Sequence, residues 1–182
     1  MKPLRWERKF AMKIQRIETP RLYLRGFEKT DADFAISIWN DPEMGEYLLD
    51  EAMETVSDEY RQEIQQLGDD EECCYLIAES KATGGRIGTC SFIPSEDGAV
   101  YDIAYCVHKD FWRQGYATEM VGGMMDYAKR QGAKKMTIFI FSENPGSNAL
   151  ARKFGFQVVE TLVKKKRGTD REIIDYKYEL IL

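Results

Sequence analysis

The stretch Val107-His-Lys-Asp-Phe-Trp-Arg-Gln-Gly-Tyr-Ala-Thr-Glu constrains the fold more than any other part of the chain. The β-rich run Val100 to Val107 leads into it, and Ala117, Met120, Val121, Met124 and Ala128 follow at the spacing of one helical face. A strand must therefore end near Val107 and a helix begin near Ala117, with Gly115 in the turn between them. A glycine there lets backbone N–H groups point together into a concave site. The first turn of the helix adds four N–H groups without internal partners, at the positive end of the macrodipole. The N–H groups around Arg113, Gln114, Gly115, Tyr116, Ala117 and Thr118 thus suit a pyrophosphate, with Arg113 as an added cation. Taken alone, such a turn is equally compatible with a plain connection that binds nothing. Neither G-x-x-x-x-G-K-[ST] nor G-x-G-x-x-G occurs, so the phosphate loop of nucleotide hydrolases and the dinucleotide fingerprint are both excluded.

Around this stretch the chain alternates strand and helix signals. Arg21-Leu-Tyr-Leu-Arg reads as a first strand, and Thr30-Asp31 offers an N-cap to a helix carrying Ala32, Phe34, Ala35, Ile38 and Trp39 that stops before Pro42. Ser57 to Leu67 reads as a second helix, closed near Gly68. Cys73 to Glu79, Arg86 to Ile93 and Val100 to Val107 form three short strands joined by turns, which predicts an antiparallel meander. After the helix that ends at Arg130 come a strand over Lys135 to Ser142, a short helix over Ser147 to Phe154, and a final pair over Phe156 to Lys166 and Ile173 to Leu182. The expected fold is α/β of the α+β type, a mixed and mostly antiparallel sheet of about seven strands with about four helices. Met1 to Arg16 reads as an extension and residues 17–182 as one domain.

Composition narrows the chemistry. With 182 residues, 43% hydrophobic and 31% charged, the chain has the makeup of one globular domain. No apolar run is long enough to span a bilayer and no signal-peptide core is present, which points to the cytoplasm. His108 is the only histidine and the four cysteines lack C-x-x-C spacing, leaving almost no material for a zinc site or a Ser-His-Asp triad; no metal is expected. Met1 to Arg16 carries a net +5, so a chain with a total of −5 has −10 in its body. That balance disfavours nucleic acid and mildly favours a cationic partner such as an amine. Lys164-Lys-Lys-Arg-Gly is read as a charged hairpin tip, His108 as a turn residue, and Gly122-Gly123 as a close-packing point of the long helix.

Trp112-Arg-Gln-Gly-Tyr-Ala resembles the Q/R-x-x-G-x-G/A motif of the GNAT acetyltransferase superfamily. Phe111-Trp112 and Tyr116-Ala-Thr-Glu119 are similar to its branch of ribosomal-protein N-terminal acetyltransferases. Asn144-Pro-Gly-Ser147 before Arg152-Lys-Phe-Gly-Phe156 resembles that branch's N-x-x-S…K-x-G-F signature, and Thr19-Pro-Arg-Leu-Tyr-Leu-Arg its usual first strand. Trp112 departs from the general superfamily pattern at its first position but not from this branch.

The resemblance implies an enzyme that passes acetyl from acetyl-CoA to a primary amine, a protein N-terminus or a small molecule, by direct attack with both substrates bound. It implies that the strand ending at Val107 splays from the one near Lys135, and that backbone near Cys106 and Val107 holds the pantetheine arm. It places Asp102 as general base, with Glu143 and Glu119 as weaker candidates, and Ser147 as hydrogen-bond donor to the departing sulfur. Asn144 would contact pantetheine or substrate, while Trp39, Tyr47 and Tyr105 are candidates for an acceptor pocket. Each has a plainer role open to it: Ser147 as helix N-cap, Asn144 as turn former, the aromatics as core. Ala151 stands where many members carry a tyrosine acid. That departure leaves open a non-catalytic module that holds CoA as a sensor or interaction partner. A homodimer is common among such proteins.

Overall fold

The computed structural model describes residues 13–95 and 97–182; most of the expected N-terminal extension lies outside the described residues. One sheet has the strand order β1-β2-β3-β4-β5-β6-β8-β7. The strands are β1 (Arg16–Glu18), β2 (Leu22–Gly26), β3 (Cys74–Ser80), β4 (Arg86–Pro94), β5 (Val100–Val107), β6 (Lys135–Phe141), β7 (Gln157–Lys165) and β8 (Glu172–Ile181). All neighbours are antiparallel except β5 and β6. The sheet has one strand more than expected, because Arg16-Ile-Glu is too short to signal itself and is ordered by pairing with β2. The division expected at residues 16 and 17 therefore falls inside a strand, and Ile14 is already part of the core.

Helices α1 (Ala32–Trp39) and α2 (Asp58–Gln65) cover one face, and α3 (Tyr116–Arg130) and α4 (Pro145–Lys153) the other. The period-two alternation of β3 shows the division: Leu76 and Ala78 pack in the core with α3, while Ile77 packs with α1 and α2. Helix α3 buries Met120, Val121, Met124 and Ala128, as its spacing predicts. A β-carbon on Gly123 would lie 2.6 Å from Thr19 Cγ2, so the second of the paired glycines is where the helix presses on the chain beside β1. Helix α2 is capped by Ser57, whose hydroxyl accepts from Tyr60 N.

The start of α1 differs from expectation. A 3-10 turn over Lys29–Asp31 precedes it, and the Asp31 side chain does not cap it. Asp31 is fully buried, bound by Arg25 at 2.8 Å and Arg86 at 2.6 Å, and accepts from Glu28 N. Burial pushes its carboxyl up, but the two guanidinium groups outweigh burial and hold it below the usual range. Among the described residues no helix is long and apolar enough to cross a membrane.

Candidate active site at the gap between β5 and β6

Strands β5 and β6 pair for only three residues: Val100 with Lys135, Tyr101 with Met136, and Asp102 with Thr137. Beyond that point β5 stays bonded to β4, and β6 to β8. The two strands diverge into an open gap. Main-chain direction along β5 follows from its ends: Ser95 N donates to Val100 O at 2.8 Å and His108 N to Ile87 O at 2.9 Å. In an antiparallel ladder this assigns the even-numbered residues of β5 to β4 and turns Ile103, Tyr105 and Val107 toward the gap. The Cys106 carbonyl faces β4, so close that a β-carbon on Gly88 would lie 2.2 Å from it. Val107 O accepts from the Trp112 indole at 2.7 Å. The main-chain groups free to pair with an extended ligand are the carbonyl of Ile103, both groups of Tyr105 and the N–H of Val107, since the Asp102–Thr137 pairing takes up the Ile103 N–H.

Past Val107 the chain makes a 3-10 turn over Lys109–Phe111, with His108 Nδ1 accepting from Asp110 N as a turn residue should. Arg113 (φ 59) and Gly115 (φ 79) both take left-handed backbone, which reverses the chain into α3. Gly115 is the N-cap, and no side chain among the described residues caps the helix. The N–H groups of Tyr116, Ala117 and Thr118 thus open outward at the positive helix end. The turn is braced from behind: Arg21 donates to Gln114 O at 3.0 Å and stacks on Tyr116, and Gln114 Nε2 donates to Asp110 O. Arg113 is exposed. Glu119, a weaker base candidate, is committed elsewhere; it accepts from the Thr19 hydroxyl and from Arg21, 2.6 Å each.

Asp102 stands at the closed end of the gap, where its Oδ1 accepts from the Thr137 hydroxyl at 2.6 Å. Burial pushes its carboxyl above the ordinary aspartate range, against the pull of the Thr137 bond and the cations Lys177 and Lys164. Nearby Asp175 raises it slightly further. Asp175 itself is 4% exposed; its Oδ2 accepts from Lys164 Nζ at 2.8 Å, and its Oδ1 is buried without a partner among the described residues. Sequence reasoning passed over Asp175, although an acid inside Ile173-Ile-Asp-Tyr is a departure from strand patterning.

On the α3–α4 face burial raises the Tyr105 phenol, against the pull of the neighbouring Ser147 hydroxyl. The two hydroxyls bring β5 and the start of α4 together beside the gap. Ser147 is not the N-cap of α4; Asn144 is, its Oδ1 accepting from Ser147 N at 3.1 Å, with Pro145 opening the helix. The Asn144 oxygen is thereby occupied. Asn148, which sequence reasoning did not single out, is buried and ties three elements together. It donates to Phe141 O and Asn144 O and accepts from the Tyr178 hydroxyl. Glu143 is paired with Arg171 at the surface. The four cysteines are free, and burial raises the Cys106 thiol to about 11, which disfavours the thiolate.

On the α1–α2 face a cavity of about 640 Å³ runs from Ala104 and Cys106 on β5 to Trp39 and Tyr60 on the helices. Of the three aromatic candidates Trp39 and Tyr105 line it and Tyr47 does not. One wall is the segment between α1 and α2, held by the tip of the β7–β8 hairpin. Glu51 N donates to Arg167 O at 3.0 Å and Arg167 N to Leu49 O at 2.8 Å. Lys166, expected in an exposed charged tip, is 2% exposed; its ammonium donates to Gly45 O and Glu46 O and pairs with Glu51.

A helix start without a side-chain cap, next to parallel strands that stop pairing after three residues, is an arrangement suited to a coenzyme A thioester. Residues 21–157 match the family model described as the acetyltransferase (GNAT) domain. The chain belongs to that family. It is 29% identical over 174 residues to the uncharacterised N-acetyltransferase p20 of Bacillus licheniformis, covering 92% of this chain and 97% of the relative. Its fold is similar to RimL, a ribosomal L7/L12 α-N-protein acetyltransferase solved without ligand (TM-score 0.76, 18% identity, 94% and 97% of the two chains). It is similar to much the same degree to a spermidine N-acetyltransferase from Vibrio cholerae in complex with CoA and spermine (TM-score 0.75, 19% identity, 88% and 95%).

Proposed function

We propose that the chain transfers the acetyl group of acetyl-CoA to a primary amine by direct attack in a ternary complex. The observation that carries this is the three-residue pairing of β5 with β6 and the divergence beyond it. The open N–H groups of Tyr116, Ala117 and Thr118 would take the pyrophosphate, with Arg113 beside them. The pantetheine arm would pair with Ile103, Tyr105 and Val107 like an added strand, bringing the thioester toward Asp102.

Each group at the site then has a chemical task. A main-chain N–H of β5 polarises the thioester carbonyl. The amine nitrogen forms a bond to that carbon and the carbon–sulfur bond breaks. An alkyl amine is protonated at neutral pH, with a pKa of about 10, so a proton must leave the nitrogen first. Asp102, raised by burial, accepts it directly or through one water. As the carbon–sulfur bond breaks the nitrogen sheds its second proton; the Ser147 and Tyr105 hydroxyls, present where Ala151 supplies none, give a proton to the departing sulfur and are restored by that second proton through solvent. Holding both substrates in one geometry supplies much of the rate.

The test combines melting temperature with and without coenzyme A and release of free thiol from acetyl-CoA across a panel of amines. Stabilisation together with amine-dependent thiol release is expected. Stabilisation with no release from any amine would make the chain a CoA-holding module. An unmoved melting temperature at saturating coenzyme A would remove the whole reading.

A further inference from the structure

The cavity on the α1–α2 face carries its own chemistry, separate from the coenzyme gap. Its far end is aromatic: Trp39, Tyr60 and Tyr75, with the Trp39 and Tyr75 rings 6.4 Å apart. The Trp39 indole is already engaged with the Thr89 hydroxyl. The ring carbons of the three side chains offer apolar surface. Leu48, Leu49 and Met53 extend it along the segment between α1 and α2.

The two carboxylates that line the cavity are each ion-paired, one with the lining Arg167 and one with the buried Lys166 beneath it. Asp50 faces Arg167 at 3.3 Å and Glu51 faces Lys166 at 3.2 Å. A polycation needs surplus carboxylates to replace its water, and among the described residues this rim has none to spare. The main-chain groups of Leu49, Glu51 and Arg167 are likewise bonded to one another, so they cannot pair with an extended peptide. The volume of about 640 Å³ lies within the range that encloses a small organic molecule.

From these features, and resting on the acetyl-transfer reading above, we infer that the acceptor is a small primary monoamine with an apolar body of aromatic size. Its body lies against Trp39, Tyr60 and Tyr75, and its nitrogen reaches the β5 end of the cavity at Ala104 and Cys106. Leu48, Leu49 and Met53 set the selectivity for the body, and the paired rim charges turn away polyamines.

Two measurements on the full chain test this. The first is calorimetric binding of phenethylamine to the protein saturated with coenzyme A. The second compares kcat/KM for ethylamine, phenethylamine, spermidine and a short serine-initiated peptide. Phenethylamine should bind, and its kcat/KM should exceed that of ethylamine by about tenfold or more, as filling an apolar pocket does. Spermidine and the peptide should fall below it. Leu49→Asp should reverse the order of phenethylamine and spermidine. The exposed Arg167→Gln, which frees Asp50, should raise spermidine relative to phenethylamine by roughly two- to fivefold even if Leu49→Asp fails to fold.

Spermidine or the peptide as the better substrate, or equal use of ethylamine and phenethylamine, would overturn the assignment while leaving acetyl transfer intact. Binding of phenethylamine without thiol release from any amine would leave the pocket's ligand class standing and remove the transfer reaction. Failure of phenethylamine both to bind and to turn over overturns the inference.

Discussion

Asp102 and Asp175 share one stretch of sheet, yet their surroundings differ, and the difference makes them testable one by one. The folded Asp102 carboxyl binds its proton more tightly than an unfolded one would. The stability linked to that proton is present at low pH and is lost as pH rises through the folded value. At neutral pH Asp102 therefore gives no stability through its charge, and Asp102→Asn should leave the melting temperature at pH 7 unchanged or raised. Its kcat should fall by about 10²–10⁴-fold, the range of general-base catalysis, with coenzyme A affinity unchanged. A lower melting temperature with intact turnover would make the residue structural. Asp175 acts on Asp102 as a like charge. In Asp175→Asn the acid limb of the kcat–pH profile should move to lower pH, because Asp102 then loses its proton more easily. A limb that stays in place would separate the two carboxyls.

The elements of the fold were largely legible in the sequence. Periodicity marked α3 to within a residue, and β-rich runs between turn clusters marked the meander of β3, β4 and β5. The three-residue β1 was not legible, since it has no pattern of its own and exists through β2. Side-chain assignments made from local spacing went astray where a distant element supplied the partner. Asp31 left its expected cap for Arg25 and Arg86, and Lys166 left the hairpin tip for the carbonyls of Gly45 and Glu46. Asn144 rather than Ser147 caps α4, which leaves the serine hydroxyl next to Tyr105. The glycine turn could be read, because its requirement is local. A β-carbon on Gly115, at φ 79, would come no nearer than 3.5 Å to the Arg21 guanidinium, so strain rather than collision decides a substitution there. Gly115→Val should cost about 1–2 kcal/mol of stability, the penalty of left-handed backbone for a side chain. It should also weaken coenzyme A binding, read by calorimetry; undiminished binding would move the phosphates elsewhere.

At the scale of the whole molecule, Lys166 decides whether the segment between α1 and α2 forms a wall of the cavity. Lys166→Met keeps the bulk of the stem but leaves the Glu46 carbonyl without its donor and the Gly45 carbonyl with Leu48 N alone. A loss of about 1–3 kcal/mol is expected from the unpaired carbonyl, read by denaturant titration. The KM for the amine should rise while the affinity for coenzyme A holds, since the gap lies on other elements. Equal effects on both ligands would mean a general loosening instead.

The seam between β5 and β6 has a further consequence. The sheet is two leaves, β1 to β5 and β6 to β8 with β7, stitched by three residue pairs. The cavity on the α1–α2 face takes Ala104 and Cys106 from the first leaf and Arg167 and Gly168 from the hairpin of the second. A thioester arm lodged between the leaves would act as the keystone of an arch, fixing the span across which the amine must fit. Loading of the coenzyme would then come first and the amine second, a sequence of events dictated by three pairs of residues.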